Sequence, residues 1–423
     1  MTHVKEKLPL KILYCDLATV QKGGADTVHN YELVTNLTRL GHKVVSLKVK
    51  RLEGRVGAST GIQSSPREHT KRGSRSLPLY NGFLNGMRIL RFAWREWFIF
   101  VSVLIAILKR RRQLDIIYRR HNVLNSEYFL AKLFSIPLVK EVNGIFADEA
   151  RMQNVGGDFF VRVIDTIERF NMSKADRIVV VTSKLKDFIH RDYGVPQEKV
   201  VVISNGANTD LFQPLDPIEA RNKLDLSQSD NYVCFVGSLK PWQGVEYLIK
   251  SAPLVLAECP DTKFVIVGDG VMRGELVAQA NRTGVLGNVI FTGFVPYEKV
   301  PLYVNASDIC VAPSRAERNR TGGSPLKLCE YLACERPVVA SEISGHEFIE
   351  SELAGILVTP DNPQELANAI IKLLQAPGLR AQMGENGRRF VVENRSWKSV
   401  AKEVAQVCQQ LVEDRRGATT KIS

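Results

Sequence analysis

Twelve short runs of β-branched and aliphatic residues, separated by stretches of helical periodicity, constrain this chain more than any other feature. KILYCDLA, VVSLKVK, DIIYRR, PLVKEV, RIVVVT and VVVIS come first, then YVCFVGS, KFVIVG, VIFTG, ICVAPS, PVVAS and GILVT. Runs such as RIVVVT and KFVIVG are apolar without alternation, so both faces of those strands must be covered, as in a parallel sheet with crossover helices. The pattern breaks at NGANTDLFQPLDP, where polar turn residues, Pro214 and Pro217 intervene, and then restarts. A chain of 423 residues exceeds one ordinary core. The reading is an α/β protein with two doubly wound, Rossmann-like domains, residues 1–206 and 207–395. Residues 396–415, with apolar Val400, Val404, Val407 and Leu411, form an amphipathic helix expected to pack back on the domains, and 416–423 a flexible tail.

Apolar content of 44% and charged content of 24% supply two cores and argue against disorder outside loops and tails. The seven cysteines make no CxxC pair and no Cys/His cluster of zinc spacing, which fits a reduced cytosolic compartment. The N-terminal apolar run is short and broken by Asp16, so it reads as a first strand and not as a leader. Half of the formal charge of +12 lies in Lys48–Ser76, which holds eight basic residues against Glu53 and Glu68 and reads as a mobile loop. No RNP-type motif, basic recognition helix or zinc finger favours nucleic acid. Anionic substrates and an anionic membrane surface are the partners that remain, the latter implying a peripheral position on the inner face of a membrane.

The stretch PSRAERNRTGGSPLKLCEYLACERPVVAS carries the most chemistry. Ser324 suits an N-cap and Pro325 a first helical residue, after the flexible pair Gly322-Gly323. Free amides at that entry would suit a pyrophosphate, Lys327 in the first turn would add a charge, and Glu330 shares its face. A carboxylate there could accept two ribose hydroxyls. A surface Lys–Glu pair on an ordinary capped helix is the alternative. Gly23-Gly24-Ala25 likewise opens a helix with apolar Val28, Tyr31, Val34, Leu37 and Leu40, and serves either a ligand or merely a tight turn.

PLKLCEYLACERPVVAS resembles the donor-site segment of the large retaining GT-B glycosyltransferase family numbered four. GGADTVHNYELVTNLTRLGHKV, ADRIVVVTSKLKDFIHRDYGVPQEKVVVISNGANTDLFQP, VGSLKPWQGVEYLI, KFVIVGDG, VIFTGFVPYEKVPLYVNASDICVAPS and AGILVTPDNPQELANAI follow in that family's order. The resemblance implies two parallel sheets facing a central cleft and a nucleotide-diphosphate sugar as co-substrate, with no cofactor and no metal. It implies donor contacts at Gly24, Ser238, Lys240, Phe294, Val295, Gly323, Ser324, Pro325, Leu326, Lys327 and Glu330. Two departures stand out. The first carboxylate of the family's Glu-x7-Glu pair falls on Gly322, and its Arg and Lys after the strand entering domain two are Ser238 and Gln243. Lys240 and Lys327, helped by Arg315, Arg318 and Arg320, are the replacements for phosphate.

In domain one, IYRRHN and KEVNG resemble a subgroup pattern that implies roles for Arg120, Glu141 and Asn143 toward the acceptor, with Arg120 and Glu141 also candidates for catalysis. They end strands, where ligands bind in such sheets, yet a buried Arg120–Glu141 ion pair is the competing reading. His121 is a further candidate at the same edge, although a lone histidine is more often structural. The apolar run Trp97–Leu108 would cover about 18 Å as a helix, short of the roughly 30 Å of a bilayer core. It is either buried, the favoured reading, or docked at a membrane surface.

The resulting expectation is a retaining glycosyltransferase that moves a sugar to a hydroxyl of a glycan or lipid-linked glycan, in surface polysaccharide or glycoconjugate synthesis. A GT-B nucleotide-sugar epimerase and a non-catalytic nucleotide-sugar-binding subunit are the alternatives.

Overall fold

The computed structural model describes residues 9–16, 25–48, 97, 100–110, 113–121, 127–152, 157–323 and 326–420. Gly24, Ser324, Pro325 and all of the basic loop after Lys48 lie outside them. The strands are β1 (Lys11–Asp16), β2 (Lys43–Lys48), β3 (Ile116–Arg120), β4 (Leu138–Val142), β5 (Arg177–Val180) and β6 (Val200–Val202), then β7 (Asn231–Val236), β8 (Thr262–Val267), β9 (Val289–Gly293), β10 (Ile309–Ala312), β11 (Val338–Ser341) and β12 (Gly355–Val358). Each coincides with one of the apolar runs. They build two sheets, in the orders β2-β1-β3-β4-β5-β6 and β12-β11-β10-β7-β8-β9. Every neighbouring pair is parallel.

The helices of the first half are α1 (Ala25–Arg39), α2 (100–110), α3 (Glu127–Leu133), α4 (Phe146–Met152), α5 (Gly157–Ser173) and α6 (Ser183–Tyr193). Those of the second are α7 (Pro217–Lys223), α8 (Val245–Glu258), α9 (Arg273–Arg282), α10 (Val300–Asn305), α11 (Leu326–Ala333), α12 (Phe348–Ser351), α13 (Pro363–Gln375), α14 (Pro377–Asn394) and α15 (Trp397–Thr420). β4, β10 and β11 are buried along their whole length, as two covered faces require.

Two expectations change. Helix α15 runs to Thr420, past the tail expected from 416, and its apolar face packs on domain one. Trp397, Val400, Val404, Cys408 and Leu411 are buried in one core with Ile12 and Tyr14 of β1 and Leu33 and Leu37 of α1. The apolar segment before β3 is neither wholly core nor wholly outside: Val103, Ala106 and Ile107 are buried, while Trp97, Ile105 and Leu108 are exposed.

In the second sheet the strand order reverses between β7 and β10. Open sheets of this kind bind ligands at such a switch point, beyond the carboxyl ends of the strands. The loops after these two strands touch there, and Gly244 permits it: a Cβ on Gly244 would lie 1.8 Å from the Pro313 carbonyl oxygen.

Candidate functional site

After β10 the chain returns through residues 313–323 to α11. Leu328, Cys329, Leu332 and Ala333 fix α11 in the core of the second domain, while Leu326 packs on the core of the first. Lys327 and Glu330 therefore stand where the domains meet. Lys327 Nζ donates to Gln243 Oε1 at 2.8 Å and lies 4.1 Å from the Phe235 ring centroid. Burial pulls this ammonium down to about 7, Arg318 pulls the same way, and Glu330 resists. Glu330 Oε1 accepts from Tyr297 Oη at 2.9 Å. Burial pushes its carboxyl up to about 7 and Glu32 of α1 adds to the push, against the Tyr297 hydrogen bond and Lys327. The two groups are poised within one turn of helix.

The other donor candidates surround this turn unevenly. Ser238 is exposed just after β7, and Lys240 Nζ lies over Trp242 at 4.7 Å. Phe294 is exposed and Val295 half-buried beyond β9. The free glycine amides expected before α11 are not free: Gly322 N donates to the Arg318 carbonyl and Gly323 N to the Ser344 carbonyl, both at 2.8 Å. These bonds tie the loop to its own turn and to the segment after β11, so the two glycines do not offer their amides. Arg315 pairs with Glu246 and Glu317, and Arg320 with Asp148 across the domains. Arg318 is the loop arginine whose charge reaches Lys327.

On the side of domain one, β3 and β4 place Arg120 and Glu141 in register. Glu141 is buried and receives three side chains: His29 Nε2 at 2.6 Å, Tyr118 Oη at 2.8 Å and Asn143 Nδ2 at 2.8 Å. Burial opposes its charge, but His29, Arg120 and the Tyr118 hydrogen bond outweigh that and hold the carboxyl down at about 2. Arg120 also reaches Asn30 Oδ1 at 3.4 Å. Arg120, Glu141 and Asn143 thus form one network. His121 belongs elsewhere. Its Nε2 lies 2.6 Å from Glu168 Oε1, and Glu168 also accepts the backbone N–H groups of Phe146 and Ala147 at the start of α4. Burial, with Lys140, pulls His121 down, and its ring packs between Glu168 and Phe146 inside domain one.

Helix α1 contributes what the sequence pattern hid. Tyr31, expected on the apolar face, is exposed, whereas His29, Asn30, Glu32 and Asn36 are buried. Asn30 accepts from Tyr14 Oη at 2.7 Å, and Glu32 Oε1 accepts from Asn208 Nδ2 of the interdomain segment at 2.8 Å. The signal was a helix whose polar residues crowd its core-facing stripe, which periodicity of apolar residues alone does not register.

Two parallel-sheet domains thus meet, the second with a lysine and a glutamate at its switch point and the first with a buried carboxylate network at its strand ends. Residues 23–211 match the family model described as Glycosyltransferase Family 4, and residues 230–376 the one described as Glycosyl transferases group 1. The chain has the two-domain GT-B fold, each domain matching a glycosyltransferase family model. It is 31% identical over 251 residues to an uncharacterised glycosyltransferase of Methanocaldococcus jannaschii, which covers 58% of this chain and 63% of that relative, less than two thirds of its length. It is 28% identical over 293 residues to the alpha-D-kanosaminyltransferase of Streptomyces kanamyceticus, covering 67% of this chain and 73% of that one. The solved structure of Anabaena HepE in complex with UDP-glucose shares the fold, with a TM-score of 0.67 at 21% identity over 95% of this chain and 100% of that one.

The GT-B frame gives Gly322 a physical reading. Its φ is +80°, and a Cβ would lie 2.7 Å from both the Ser344 carbonyl oxygen and Thr182 Oγ1 of domain one. This chain has no room for a glutamate there. The position is spent on closing one domain against the other.

Proposed function

We propose that the protein transfers a sugar from a nucleotide-diphosphate sugar to a hydroxyl of a glycan or lipid-linked glycan, with retained anomeric configuration, in the synthesis of a surface polysaccharide or other glycoconjugate. The observation that carries this reading is the convergence of Lys327 and Glu330 at the switch point of a GT-B second domain. HepE, which shares the fold, has been solved with UDP-glucose. In the transfer, the bond from the anomeric carbon to the diphosphate oxygen breaks and a bond to the acceptor oxygen forms on the same face. The acceptor proton passes to the leaving diphosphate. Lys327, enclosed over Phe235, would meet the charge that grows on that diphosphate, where a low-dielectric setting strengthens the interaction. Glu330 would accept the ribose hydroxyls, exchanging its bond from Tyr297 for bonds from the donor. Arg120, Asn143 and the anionic Glu141 would face the acceptor.

The test is to supply a panel of nucleotide sugars, follow melting temperature to find the donor, and determine the anomeric configuration of the product by NMR. Retained configuration and slow donor hydrolysis without acceptor are expected. An inverted product rejects the mechanism, and interconversion of donor sugars without any acceptor would make the protein an epimerase.

A further inference from the structure

One face of domain one gathers exposed apolar side chains from three helices. On α5, Phe159, Val163 and Phe170 are exposed, Phe159 at 82%. At 100° per residue they fall within about 40° of arc, one stripe along the helix. On α3, Phe129 (61%) and Leu133 (71%), four residues apart, form a second exposed stripe. The two helices touch, since Tyr128 of α3 meets Phe170 of α5 edge to face at 6.4 Å. Helix α2 shares a core with α3 and adds the exposed Ile105 and Leu108.

The exposed charges beside these side chains are basic except for Asp158. Arg162, Arg169 and Lys174 are exposed on or just after α5, and Lys174 lies over the Phe170 ring at 5.2 Å. The acids of α5 are withdrawn from this face: Glu168 is buried beneath α4 and Asp165 is half-buried, leaving Asp158 at the first turn. Exposed aromatics interleaved with arginine and lysine match a surface that is apolar within and anionic at its rim. No helix among the described residues is long and apolar enough to cross a membrane. We propose that the α2–α3–α5 face of domain one docks on the surface of a bilayer containing anionic lipids.

This rests on the glycosyl-transfer reading and narrows its acceptor. α4 and α5 follow β4 directly, so α5 begins at the sheet end that carries Glu141 and Asn143. Glu168 ties the length of α5 to that end through α4 and His121. Docking along α5 therefore brings this end of domain one close to the bilayer. The acceptor class is then a lipid-anchored hydroxyl compound.

The experiment is flotation of the full chain with vesicles of phosphatidylcholine alone and of phosphatidylcholine with phosphatidylglycerol, at low and high salt. The variants are Phe159→Ser with Phe170→Ser, and Arg162→Glu with Arg169→Glu. Wild type should float with the anionic vesicles at low salt and weaken at high salt, and each double variant should partition at least about tenfold less. Donor hydrolysis, measured in the same preparations, should be unchanged in both variants. Wild type that ignores anionic vesicles, or variants that float as well as wild type, overturn the proposal. So does a concentration-dependent dimer abolished by the phenylalanine variant, which would assign the face to a second copy. Protein that floats but never turns over a donor would overturn the transfer reading and leave the docking intact.

Discussion

Lys327 and Glu330 each sit near neutrality for the same reason, burial, acting on opposite charges. Donor binding by the proposed route needs Glu330 ionised and Lys327 protonated. The dependence of kcat/KM for donor on pH should therefore be bell-shaped with a maximum close to pH 7, its limbs belonging to the coupled pair. Glu330→Gln should remove the acid limb and Lys327→Met the alkaline one, and a flat profile between about pH 6 and 9 would contradict the assignment. Glu330→Ala should weaken donor and free nucleoside diphosphate at least about tenfold, while Lys327→Ala should lower turnover more than donor affinity. Calorimetry and saturating kinetics separate the two. The same shifts affect stability. Glu330 holds a proton in the native state between the unfolded value of 4.5 and about 7, so stability falls as pH rises through that window. Lys327 lacks one between about 7 and the unfolded 10.5, so stability rises with pH there. The pair thus costs most near pH 7. Lys327→Met with Glu330→Gln should raise the denaturation midpoint most at that pH, less on either side, and abolish transfer, as expected where a site is paid for in stability.

Among the elements, α15 shows what a helix can lose and keep. Its buried Trp397 meets His29 of α1 edge to face at 4.9 Å, and His29 in turn holds Glu141. Trp397→Ala should cost about 3–5 kcal/mol in denaturant unfolding and also loosen the Glu141 network. Removal of the chain from Trp397 onward should leave domain one prone to proteolysis, checked by limited digestion with and without donor. The amphipathic pattern of α15 was legible, but its partner was not, because periodicity gives a face and no address. The twelve strands were legible because burial on both faces leaves continuous apolar runs. α1 was misread at Tyr31, since its core-facing stripe is filled by His29, Asn30 and Glu32, whose partners Glu141, Tyr14 and Asn208 are remote in sequence. The exposed aromatics of α5 went unread because they alternate with buried Val161, Ile164 and Met172 in a helix of ordinary composition. At the site, Lys327 and Glu330 stood in a motif, whereas Gln243 and Tyr297 bind them from loops that no local pattern joins.

At the scale of the whole molecule, the segment 315–323 couples the domains. Thr182 Oγ1 both accepts from Leu185 N at the start of α6 and donates to the Thr321 carbonyl at 2.8 Å, so one hydroxyl caps a helix of domain one and holds a loop of domain two. Lys184 Nζ donates to Asn319 Oδ1 at 2.7 Å and Arg320 pairs with Asp148 at 3.0 Å beside it. These exposed or half-exposed pairs contribute little singly, and the close approach at Gly322 is what lets them form together. Gly322→Ala should therefore act on the domain arrangement and not on either core: a residue at positive φ costs roughly 1–2 kcal/mol, to which the contacts at Ser344 and Thr182 add. The expected result is a loss of about tenfold in kcat/KM, a larger radius of gyration in solution scattering with donor bound, and little change in the unfolding of either domain. Gly322→Glu should do the same more severely, although it restores the carboxylate that the resembled family places there. A more active Gly322→Glu variant would show instead that the position is a catalytic place left empty, and the closure argument would fail.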